Sequence, residues 1–128
     1  MSDNILAFDP EATDDAHFPV WFDDQAEWAE PHSYDNPDVC VPALGAFYRE
    51  LIARFPPLNG PDSPDDDALD ADEGLEDRLT DYSVGRHVVY AAFGFSVAQE
   101  ARDLFRRLAA RHGLAVAEFG DRVSITRP

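Results

Sequence analysis

The apolar positions of this 128-residue chain change period along its length, and those periods predict its elements. Asn4-Ile5-Leu6-Ala7-Phe8 is a short apolar run halted by Asp9-Pro10, which predicts a strand. Ala16, Val20, Trp21, Phe22, Trp28 and Ala29 fall at helical spacings. Pro19 is compatible with a helix only in its first turn, so the reading there is a helix from about Pro19 to Ala29. Between Pro42 and Phe55, the residues Leu44, Phe47, Tyr48, Leu51, Ile52 and Phe55 form one apolar stripe at i, i+3, i+4, i+7, i+8 and i+11. Pro42 suits the first helical position, and Pro56-Pro57 stops the helix.

Residues 56–78 lose all periodicity and are rich in Pro and Asp, which predicts a long acidic loop. Leu79–Tyr82 and His87–Phe95 read as strands around the Gly85-Arg86 turn. Val88–Phe93 is apolar throughout, as a strand covered on both sides would be, or one covered on one side and touching a partner on the other. Ser96 and Gln99 have the spacing of a capping box opening a second long helix, with Val97, Ala101, Leu104, Phe105, Leu108 and His112 as its inner stripe. Arg106, Arg107 and Arg111 suit the negative C-terminal end of that helix, and Gly113 suits the residue just beyond it. Leu114–Phe119 and Arg122–Thr126 predict a hairpin around Gly120-Asp121.

Without the helix at 19–29 and the last strand, the order is βαββαβ. That is the split-βαβ, ferredoxin-like pattern, here with an extra C-terminal strand. The fold class it implies is α+β: a mainly antiparallel sheet with helices packed on one face, in a single domain spanning residues 1–128.

Charge then divides the chain. Residues 1–82 hold 22 Asp and Glu against three Arg, a balance of −19, whereas residues 83–128 hold four acids against seven Arg, a balance of +3. A field of that sign repels nucleic acid and anionic membrane and attracts basic protein surfaces. Arg102, Arg106 and Arg107 cluster, but Asp103 lies among them and the total is −16, so nucleic acid is not an expected partner. The acidic N-terminus lacks the basic region and apolar core of a signal peptide, and no apolar run approaches the roughly 20 residues a bilayer span needs. A cytoplasmic protein with no membrane association is the expectation.

Candidate chemistry is sparse. Cys40 is the single cysteine, so neither an internal disulfide nor a Cys-based zinc site is available. Val39 and Val41 beside it suggest a small buried side chain. His17, His32, His87 and His112 share no ligand spacing. His112 reads as a helix-end residue and His87 as a strand-end residue. Asp70, Asp72 and Gly74 echo a calcium loop only loosely, because Gly74 stands where an EF-hand places an Asp. No Gly-x-Ser-x-Gly and no phosphate-cradling loop occurs, and carboxylates are so dense that no one pair stands out as an acid–base couple. The expectation is a non-enzyme without metal or cofactor. Trp21 and Trp28, seven apart and set among Asp23, Asp24, Glu27 and Glu30, read either as buried aromatics under a wet acidic face or as exposed anchors ringed by acid.

Several segments carry a family likeness: the helix Phe47–Pro56, the loop Asp62-Ser63-Pro64, the strand Val88-Val89-Tyr90 leading to Ser96, the helix end Leu108–Leu114, and the final Arg127-Pro128. In outline, over residues 1–8 and about 42–128, the chain resembles small acidic bacterial proteins, some of them immunity proteins of polymorphic toxin systems. It departs from that pattern at Val41, where a helix-capping residue is usual, and at Asp65, where an aromatic is usual.

The resemblance implies a protein that binds and neutralises a cognate toxin domain with a basic cleft. The acidic surface assigned to that role comprises Asp23, Asp24 and Glu27 with Asp62, Asp65, Asp66, Asp67, Asp70, Asp72 and Glu73. The same acidity also suits a non-catalytic regulator or nucleic-acid mimic that binds a host basic protein, or serves solubility alone. A small enzyme is the remaining alternative, and it lacks a motif.

Overall fold

A computed structural model of the protein describes residues 2–26, 39–57, 63–71, 75–119 and 123–128. Strand β1 spans Ser2–Phe8, helix α1 Phe18–Ala26 and helix α2 Pro42–Ile52. Two short helices follow, α3 at Asp66–Ala71 and α4 at Leu75–Arg78. Strands β2 (Asp81–Val84) and β3 (Val88–Gly94) lead through a 3₁₀ turn into α5 (Ala98–Arg111), and β4 (Ala115–Glu118) and β5 (Ser124–Thr126) close the chain.

The strands form one antiparallel sheet in the order β2-β3-β1-β4-β5. The first four reproduce the split-βαβ arrangement, in which each crossover helix joins strands that have another strand between them. β5 adds an edge beside β4, as expected. Residue alternation gives the sheet two apolar faces. Ile5, Ala7, Tyr82, Val84, Val89, Ala91, Phe93 and Val116 turn to one face, where Leu44, Phe47, Tyr48 and Leu51 of α2 and Ala101, Phe105 and Leu108 of α5 cover them. Phe47 meets Phe105 edge-on, with ring centres 4.9 Å apart and planes at 85°, a geometry worth about 0.5–1.5 kcal/mol beyond area burial.

The two long helices therefore occupy one face, and the short α1 takes the other. Leu6, Phe8, Val88, Ala115 and Ala117 turn that way and pack with Phe18, Trp21 and Phe22 of α1. This second core explains why Val88-Val89 is covered on both sides. Pro19 falls in the first turn of α1, where its missing N–H costs nothing.

Four local readings change. Residues 56–78 are not loop throughout: α3 and α4 form there, and Pro57 bridges Thr80 in parallel. Asp66 and Asp67 sit in the first turn of α3, where negative charge opposes the helix dipole; a density of acid that reads as loop thus favours a helix start. β2 begins two residues later than expected because Thr80 is engaged with the 56–57 segment, its amide donating to the Pro56 carbonyl at 2.9 Å. α2 ends at Ile52, and Phe55 remains fully buried through a closing turn in which its amide donates to the Leu51 carbonyl. The Ser96–Gln99 capping box does not form: Ser96 lies inside the 3₁₀ turn, and Val97, with no side-chain cap, stands at the N-cap of α5.

The end of α5 is as read. Gly113 adopts φ +71°, the left-handed conformation that lets Leu114 turn back into β4. Among the described residues no helix is long and apolar enough to cross a membrane.

Candidate partner-binding surface

The acidic residues assigned to a partner lie on two separate elements. Asp23 and Asp24 are exposed on α1, over the second face of the sheet. Asp65, Asp66, Asp67 and Asp70 are exposed on α3 and the residue preceding it. Glu27, Asp62, Asp72 and Glu73 lie outside the described residues, as do Trp28 and the Gly120-Asp121 turn. The helix after α3 belongs to the opposite face from α1: Arg78 of α4 stacks its guanidinium 5.3 Å over the Phe55 ring and reaches Glu100 of α5 at 3.2 Å.

Cations are used differently. Arg54 and Arg78 share Glu100, Arg102 and Arg106 share Glu118, Arg111 pairs with Glu50, and Arg127 pairs with Asp15. Most of these arginines tie one element to another. No cation among the described residues pairs with Asp23, Asp24, Asp66, Asp67 or Asp70. Six arginines are thus paired internally, while these five carboxylates face solvent.

The carboxylates with perturbed protonation are structural. Asp14 is held below the usual carboxylate range because the His17 amide donates to it at 2.8 Å, with the His17 ring at 2.7 Å adding to the effect. This pairing closes the turn that enters α1. Glu50 is lowered first by its hydrogen bond with His112, whose Nε2 lies 3.3 Å away, and then by Arg111; together they join α2 to the end of α5.

Among the described residues, several singled out for chemistry have partners within the fold. Cys40 is half-buried and its thiol donates to the Gly85 carbonyl at 3.2 Å. His87 stands at the start of β3 with Nδ1 3.6 Å from Asp9, and its carbonyl accepts from the Asp9 amide. A small hollow between α5, β4 and the C-terminus is walled by Leu114, Val116 and Thr126 with Arg106 and Arg127, both of which are engaged by carboxylates. Among the described residues no three His, Cys, Asp or Glu side chains gather as metal ligands would.

Sequence reasoning missed two features. Arg127 is a staple: Nε bonds Asp15 at 2.7 Å, Nη1 and Nη2 bond the Pro10 and Thr13 carbonyls at 2.8 Å each, and the guanidinium lies 5.9 Å from the Phe8 ring centre. Nothing local in the sequence signals a contact across more than a hundred residues. The second is a strip of half-exposed aromatics: Phe22 stacks with Tyr90 (6.2 Å) and meets Phe119 (5.1 Å), and Tyr90 meets Phe119 (6.0 Å). The aromatics of α1 hinted at this strip, but its sheet half needed the topology.

No protein-family model, no curated protein and no solved structure matches the chain.

Proposed function

We propose that this chain is an immunity protein: a cytoplasmic, non-catalytic protein that binds a cognate bacterial toxin domain and blocks its basic cleft. The observation that carries this reading is the split use of charge. Arg54, Arg78, Arg102, Arg106, Arg111 and Arg127 pair with carboxylates of the same chain, whereas Asp23, Asp24, Asp66, Asp67 and Asp70 stay exposed without a described cation. A toxin that acts on nucleic acid or nucleotides presents a basic cleft for its substrate, and a folded acidic surface competes for it. The net charge of −16 speeds the encounter by long-range attraction.

The test is neutralisation in cells. The product of the gene immediately upstream is produced in a bacterial host with and without this chain. Growth arrest that this chain relieves supports the reading. A product that is harmless, or that arrests growth equally in both strains, removes it.

A further inference from the structure

We propose that Arg127 is a latch that makes α1, the turn before it and strand β5 open as one unit, separately from the rest of the fold. The sheet register sets the latch. Val116 stands opposite Thr126 and Phe8 opposite Ala115, so Arg127 continues a row that runs through Ala115 to Phe8. Ala115 carries only a methyl group on that row, and the Arg127 guanidinium reaches past it to lie 5.9 Å from the Phe8 ring centre. It ends on the turn between β1 and α1. Nε–H donates to Asp15 at 2.7 Å, and Nη1 and Nη2 donate to the Pro10 and Thr13 carbonyls at 2.8 Å each. A planar fork can serve three acceptors in this way, whereas the single ammonium of Lys cannot.

The parts so joined have shallow anchorage of their own. Among the described residues, 18 buried side chains form the core under α2 and α5, against six in the core under α1. Phe18 of α1 is buried, but Trp21 and Phe22 are half-exposed. β5 is three residues long, pairs with β4, and packs Ile125 against the second core. Segments with few buried contacts open first and at the lowest free energy. In the sheet, β4 and β1 stand between β5 and the turn, so the guanidinium is what makes their openings one event. That event bares Leu6, Phe8, Ala115 and Ala117 and leaves the α2–α5 core closed.

The test is native-state hydrogen exchange of the full chain, read amide by amide by NMR. In the wild type, the α1 amides from Trp21 to Asp24 should exchange at least about tenfold more readily than those of β1 and β3. Thr126→Gly weakens β5 at an exposed position without touching α1. It should speed exchange of the α1 amides by about fivefold, because β5 is open whenever α1 is. In Arg127→Ala, the β5 amides should lose protection at least about tenfold, and adding Thr126→Gly should then leave the α1 amides unchanged. Arg127→Lys should behave like Arg127→Ala.

Exchange of the α1 amides at the same rate as the slowest amides of β1 and β3 would overturn the separate unit. α1 amides indifferent to Thr126→Gly would overturn the coupling. So would β5 amides that keep their protection in Arg127→Ala, or full coupling in Arg127→Lys, which would reduce the latch to a point charge. The comparison of the wild type with Thr126→Gly leaves Arg127 in place, so the proposal is tested even where Arg127→Ala does not fold. The readout needs no toxin and is independent of the neutralisation result.

Discussion

Tyr82 carries a hydroxyl into the core, and its hydrogen bond is what makes it tolerable there. The ring meets Tyr48 edge-on at 5.1 Å, the phenol donates to the Phe55 carbonyl at 2.7 Å, and burial pushes its ionisation far above the ordinary range. Tyr82→Phe leaves that carbonyl without its donor and should cost about 1–2 kcal/mol, read as a lower urea midpoint with an unchanged slope. Gly113 makes the opposite kind of demand. Nothing lies within 4 Å of where a Cβ would sit, so Gly113→Ala tests backbone strain alone and should cost about 1 kcal/mol. Glu50 supplies a pH dependence. Its carboxyl is held below 4.5 in the folded protein by His112 and then Arg111, so the stability it adds is present above about pH 4.5 and is lost as pH falls through the lowered value. Glu50→Gln removes that contribution, so the two stability-against-pH curves should converge as pH falls through that range and run parallel elsewhere. Parallel curves throughout would mean the Glu50–His112 contact does not persist in solution.

Elements became legible in proportion to how far their own residues decide them. α2 and α5 show their stripes in sequence because each buries a full face against one sheet, and Phe105 of α5, fully buried against Phe47 and Phe93, shows what that face is worth. Phe105→Ala should cost about 3–5 kcal/mol and bring the chain close to unfolding, measured by denaturant titration. The ferredoxin-like order was legible for the same reason, since alternating strands and striped helices leave few ways to pack. α3 was not, because a run of Asp reads as loop until its position at a helix start is known. The Ser96 cap failed by a single residue, as a 3₁₀ turn moved the helix start past it. The acidic residues of the candidate surface were legible as composition, but their division between α1 and α3 depends on where helices form. The aromatic strip was hidden because Phe22, Tyr90 and Phe119 come from three elements that only the sheet order brings together.

At the scale of the molecule, charge and fold are arranged in one direction. Arginines bind helices to each other and the C-terminus to the 10–15 turn, and the acid of α1 and α3 is left for solvent or a partner. Such a surface is effective over roughly a Debye length, about 8 Å at physiological salt, so attraction to a basic partner is strongly salt-dependent. Changing Asp65, Asp66 and Asp67 together to Asn should slow association more than it speeds dissociation, as charges at a rim do. The most direct measurement is a calorimetric titration of the upstream gene's product into this protein at low and at high salt. Nanomolar affinity that weakens markedly as salt rises is the predicted result. Absence of binding at both salt concentrations would contradict the account, and tight binding indifferent to salt would contradict the role given to the acidic surface.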